Sequence, residues 1–82
     1  MIQQLTPRER DILLRVQFSN KEIAHELGIS RQTVANLWTR IYARLDVDGR
    51  PPRMKRLAAI LVALRTEAVT MSEIIWPKRS LR

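Results

Sequence analysis

The sequence predicts an all-α fold of four helices, the last of them extended, and three observations carry that expectation. Apolar residues recur at steps of three and four along most of the chain, the period of a helix with one buried face. Helix-start signatures, a Ser or Thr followed three residues later by Glu, occur at Thr6-Pro7-Arg8-Glu9, Ser19-Asn20-Lys21-Glu22 and Thr70-Met71-Ser72-Glu73. The two glycines, Gly28 and Gly49, both punctuate periodic segments, and no stretch has the alternation of a strand.

The first helix opens at Thr6, with Pro7 at a first position that does not need its N–H, and turns Ile12, Leu13 and Val16 inward. Arg8, Arg10, Asp11 and Arg15 stay outside. Ser19 caps a short second helix whose inner face is Ile23, Ala24 and Leu27; Gly28 ends it, and Ile29 tucks under the turn. Ser30 caps a third helix running to about residue 45, with Val34, Leu37, Trp38, Ile41 and Leu45 spaced by three and four. Residues 46–52 read as a loop. A fourth helix then starts near Arg53 and carries Leu57, Leu61, Leu64, Ala68, Met71 and Ile75 as a heptad-like seam. Thr70 offers a cap that would break this helix, and Pro77 would stop it after Trp76. The tail from Lys78 to Arg82 is basic and expected to fray.

The chain has 82 residues, enough for one domain, with residues 1–48 as a three-helix core and 49–82 as a basic loop, fourth helix and tail. A core this small needs idealised packing or a partner subunit. With no cysteine and one histidine, His25, disulfides, a metal site and histidine-based catalysis are not expected. There is no glycine-rich phosphate loop and no carboxylate pair beside a base, so the reading is a non-enzyme without cofactor or small-molecule ligand. The apolar run at 57–64 is too short to span a bilayer, and the N-terminus lacks a signal-peptide pattern, so the expected location is the cytoplasm, on the nucleoid. Fifteen Lys and Arg against eight Asp and Glu give +7, the electrostatic match of a polyanion. Most of the cations are arginine, which suits bidentate contacts to phosphate and guanine.

Residues 19–45 then form the functional unit: a short helix, a tight turn at Gly28-Ile29-Ser30, and a longer helix with a polar outer face. That is a helix-turn-helix, whose second helix enters the major groove of duplex DNA. With the apolar set inward, Gln32, Ala35, Asn36, Thr39 and Arg40 face the bases. Asn36 and Gln32 suit adenine, Arg31 and Arg40 suit guanine or backbone, and Ala35 and the Thr39 methyl suit a thymine methyl. Ser30 orients the helix start toward a phosphate. An exposed helix face is polar with or without DNA; the charge and the short-turn-long pattern favour DNA.

Leu5-Thr6-Pro7-Arg8-Glu9-Arg10, Ser19-Asn20-Lys21-Glu22-Ile23-Ala24, Leu27-Gly28-Ile29-Ser30, Thr33-Val34, Ile41-Tyr42, Leu45 and Val47 recur in order, with matching gaps, in a known family. Over residues 5–47 the chain resembles the LuxR/GerE-type helix-turn-helix of bacterial transcriptional regulators. The resemblance implies a four-helix domain that binds DNA as a dimer joined largely through the fourth helix. It implies phosphate contacts near Asn20, Lys21 and Thr33, and base-proximal roles for Ala35, Asn36 and Thr39. Ala35 stands where the family usually has lysine, Leu37 where it often has histidine, and Asp46 where glycine is common. The link between the first two helices is about two residues short, and Arg50-Pro51-Pro52-Arg53 is unusual. With Met1 so close to the motif, the expectation is a stand-alone regulator without a sensor domain.

Trp38 and Tyr42 read as core or core rim, and His25 as a surface residue. Arg50, Arg53, Lys55 and Arg56 cluster beside the motif; Arg53, Lys55 and Arg56 join the phosphate-contact candidates, with Arg31, against plain solvated charge. The fourth helix has two flanks, and Ile60, Val62, Ile74 and Trp76 would stay partly outside. A homodimer through Leu57, Ile60, Leu61, Leu64, Ala68, Met71 and Ile75 is therefore expected, reading two half-sites one helical turn apart. The rival is a protein-interaction module, because the motif is also similar to the fourth region of sigma factors. Such a chain would bind RNA polymerase or pair with a related, larger regulator.

Overall fold

The structure, a computed structural model, describes residues 2–76. Its helices are α1 (Pro7–Leu13), α2 (Asn20–Leu27), α3 (Arg31–Arg44) and α4 (Lys55–Arg65), with 3-10 turns at Pro52–Met54 and Met71–Glu73. No strand occurs among the described residues, and the all-α expectation holds. The other three helices all pack on α3. Ile12, Ile23, Val34, Ile41 and Ala59 are wholly buried around it. Each such aliphatic side chain, alanine apart, contributes on the order of 1.5–3 kcal/mol.

Local chemistry sets the helix starts. Thr6 Oγ1 accepts from the Glu9 N–H at 3.2 Å, and Glu9 Oε1 accepts from the Thr6 N–H at 3.0 Å. Ser19 and Glu22 repeat the reciprocal pair at 3.1 and 2.8 Å, and Ser30 accepts from the Thr33 N–H at 3.0 Å. Each cap satisfies donors that the first helical turn leaves unpaired, worth about 1 kcal/mol.

The helix ends share one device. Gly28, Asp46 and Glu67 all adopt left-handed backbone, at φ 67°, 59° and 62°. After each, an N–H reaches back five residues: Ile29 to the Ala24 carbonyl at 3.0 Å, Val47 to Tyr42 at 2.9 Å, and Ala68 to Ala63 at 2.9 Å. These are Schellman caps. Asp46 thus ends α3 as a glycine would, because Asp tolerates this region.

The extended fourth helix is corrected. α4 stops at Arg65, and Ala68, Met71 and Ile75 do not lie on it. Thr66 folds its hydroxyl onto the Val62 carbonyl at 2.9 Å, and the left-handed Glu67 turns the chain away. Thr70 then caps the 3-10 turn through Glu73 at 2.8 Å, the break its signature allows. Residues 66–76 run back along α1. Val69 and Ile74 are buried, the Ile75 N–H bonds the Leu14 carbonyl at 2.8 Å, and Arg10 pairs with Glu73. Ile74, expected partly outside, is core. The Pro77 stop and the basic tail lie outside the described residues.

Candidate nucleic-acid interface

The turn between α2 and α3 is made tight by Gly28, in the left-handed conformation that glycine adopts at no steric cost. It holds the start of α3 close to α2 and turns one long face of α3 to solvent. Helical geometry places about 100° between successive residues. Val34, Leu37, Trp38, Ile41 and Leu45 then fill one arc, and all are buried. Gln32, Asn36, Thr39 and Ala43 fall opposite, and all are exposed. Arg31 and Arg40 lie about 180° apart on the two margins of that outer arc. Ala35 sits nearer the core and is half-buried.

The outer face is ordered before any ligand arrives. Gln32 Nε2 donates to Asn36 Oδ1 at 3.1 Å, which fixes the Asn36 amide and leaves its NH2 free. Thr39 Oγ1 donates to the Ala35 carbonyl at 3.2 Å, which fixes the rotamer of this exposed residue. Ser30 and Thr33 hydroxyls meet at 2.9 Å beside the first turn. α3 contains no acidic residue. Among the described residues no ion pair involves Lys21, Arg31, Arg40 or Arg53. The face therefore presents uncompensated positive charge around neutral hydrogen-bonding groups.

Behind this face, Trp38 and Tyr42 stack at 5.6 Å, with Trp38 only 3 % exposed and Tyr42 half-buried. Lys55 lies 5.6 Å from the Tyr42 ring centre and the Arg56 guanidinium 4.5 Å from that of Trp38. Burial pushes the Tyr42 phenol up, against the opposing pull of Arg56. Arg56 also donates to the Phe18 carbonyl at 2.6 Å and to Asn20 Oδ1. Lys55 and Arg56 are thus both placed against the aromatic pair, and only Arg56 is held there by hydrogen bonds. His25 is exposed, as expected of a surface residue.

A second charged link lies under α3. Glu9 is 1 % exposed, and its Oε1 lies 2.7 Å from Arg44 Nε. The Nε–H is not directed at that oxygen, so the contact is an ion pair rather than a hydrogen bond. It joins α1 to the last turn of α3. Neither this role of Glu9 nor that of Arg56 was read from the sequence. An acidic residue with an inward phase on α1, and an arginine on the inner arc of α4, were the available signals.

On α4 and the turn before it, Met54, Leu57 and Leu61 stand out as exposed apolar residues. With Arg50, Pro51, Val62 and Arg65 they line an open groove of about 820 Å³. Ile60 points away from it into the core, 7 % exposed, because α4 turns Ala59, Ile60 and Ala63 toward α3. Ile60 is therefore not available to a partner. Ala68, exposed, and Ile75, half-buried, lie on the return segment and not on α4; the Ala68 carbonyl accepts from Arg10 and the Ile75 N–H donates to Leu14. Met71 is exposed but away from α4.

A short helix, a glycine-tightened turn and a long helix with a cationic, carboxylate-free outer face define a helix-turn-helix domain of the DNA-binding class. Residues 3–54 match the family model of bacterial regulatory proteins, luxR family, and the chain belongs to that family. It is thereby a DNA-binding domain of transcription regulation. No curated protein and no solved structure gives a match. No described helix is long and apolar enough to cross a membrane, and no cluster of potential metal ligands occurs among the described residues.

Proposed function

We propose that the chain is a sequence-selective transcription regulator that binds duplex DNA as a homodimer, with α3 in the major groove. The observation that carries this reading is the outer face of α3: Gln32, Asn36 and Thr39 exposed and preordered, flanked by Arg31 and Arg40, with no carboxylate. Asn36 and Gln32 read base edges, Thr39 and Ala35 meet a thymine methyl, and Arg40 reaches a base or the backbone at the groove margin. Lys21, Arg31 and Arg53 neutralise phosphates, with Asn20, Ser30 and Thr33 as neutral donors. Lys55 adds charge beside Tyr42.

The self-pairing surface narrows to Leu57 and Leu61 with Met54 and the half-buried Leu64. An exposed apolar groove on so small a body favours a partner. The same groove supports the rival, a protein module that docks on RNA polymerase or on a larger relative.

The test is selection of bound sites from a random duplex pool, followed by titration at several salt concentrations. Asn36→Ala is expected to relax the selected sequence, while Lys21→Ala weakens every duplex alike and lowers the salt slope by about 0.9. Retention of the full preference by Asn36→Ala would remove α3 as the reader. Absence of salt-dependent binding by the parent would favour the protein-module reading.

A further inference from the structure

We infer that Arg56 is a positioning residue for DNA binding, which sets the pose of the α2 N-terminus against the recognition helix without touching DNA itself. The inference rests on the DNA-binding reading of the α3 face. Arg56 lies on the core-facing arc of α4, between the buried Ala59 and Ile60 in helical phase. Its guanidinium engages three elements at once. One nitrogen donates to the Phe18 carbonyl at 2.6 Å, another to Asn20 Oδ1, and the guanidinium carbon lies 4.5 Å from the Trp38 ring centre. Phe18 and Asn20 flank Ser19, the cap of α2, and Trp38 is the middle of α3.

The consequence falls on Asn20. With Oδ1 taken by Arg56, the amide is held in one orientation and its NH2 group is left to donate elsewhere. Asn20 and Lys21 are the first two residues of α2, and the capping box does not use their N–H groups. An oxyanion placed there meets an oriented neutral donor, a cation and the helix start together. Arg56 thus acts through Asn20 and through the spacing of α2 from α3. A lysine cannot substitute, since only a planar fork can bridge a carbonyl and an amide while lying on an indole.

The test compares the parent with Arg56→Lys, Arg56→Met, Asn20→Ala and the Arg56→Lys/Asn20→Ala double variant, on a selected duplex and a random one. Arg56→Lys is expected to lose about tenfold in affinity on both duplexes, within the range of coupled polar networks. The salt slope stays at the parent value in Arg56→Met, which removes the charge, whereas Lys21→Ala lowers the slope by about 0.9. The double variant is expected to bind no more weakly than the worse single. In a Trp76→Phe background, Trp38 emission of the free protein shifts in Arg56→Met, and thermal melts above the assay temperature keep unfolding apart from mispositioning. A slope reduced by about one in Arg56→Met would make Arg56 a direct phosphate ligand and overturn the inference. So would unchanged affinity, or strictly additive effects with Asn20→Ala. A parent that binds no duplex would instead defeat the DNA-binding reading.

Discussion

Replacing Glu9 by alanine tests how the recognition helix is anchored. Glu9 performs two tasks with one oxygen: it accepts from the Thr6 N–H at 3.0 Å and faces Arg44 Nε at 2.7 Å. Loss of the capping half costs about 1 kcal/mol. Breaking a fully buried pair costs roughly 3–5 kcal/mol, but Arg44 is 32 % exposed and regains water, so about 1–2 kcal/mol is expected. The sum is about 2–3 kcal/mol, against roughly 4–12 kcal/mol for a domain of this size. Melting followed by far-ultraviolet circular dichroism is expected to fall by roughly 10–20 °C. Glu9→Gln keeps an acceptor for the cap and removes only the charge, so it should lose about half as much. A double cycle with Arg44→Met isolates the pair term. A loss under about 1 kcal/mol for Glu9→Ala, or a Glu9→Gln variant as stable as the parent, would refute the anchoring role.

Glu67→Gly is expected to stabilise by about 0.5–1 kcal/mol, since strain relief at φ 62° outweighs the entropy of a new glycine; a lower urea midpoint would sink the idea. Glu73 is held below its ordinary value of 4.5 by the Arg10 hydrogen bond and then by the Thr70 N–H. Its native pKa is depressed, so its contribution is present above 4.5 and fades as pH falls through the native value. The difference in melting between the parent and Glu73→Gln should be constant above that pH and close below it; a gap that persists in acid would contradict this. Leu61→Asp should leave the fold within about 0.5 kcal/mol while abolishing self-association by sedimentation; an unchanged dimer would move the interface off α4.

The helix starts were legible because a Ser or Thr and a Glu three residues apart satisfy each other locally, and the apolar period of α3 gave its register. Its reading face followed by subtraction. The end of α4 was not legible in the same way. A seam of Leu57, Leu61 and Leu64 continued in phase to Ile75, and the residue that breaks it, Glu67, lacks the signature of a left-handed cap. Ile60 misled for a related reason: the inner arc of α4 is made small by Ala59 and Ala63, so the larger residue beside them fills the gap against α3. In the sequence Arg56 is one cation in a cluster, because its partners Phe18 and Asn20 lie 38 and 36 residues away. Such contacts exist only once the chain is folded.

The placement of the acidic side chains has a kinetic consequence. Glu9 faces Arg44, Glu26 holds Arg15, Glu73 holds Arg10, and Glu22 closes a capping box. The net charge of +7 already counts all eight carboxylates, and none of them stands on α3. The uncompensated field consequently extends outward from the recognition face. In dilute salt it draws a polyanion in from about a Debye length away, accelerating encounter before any base is read.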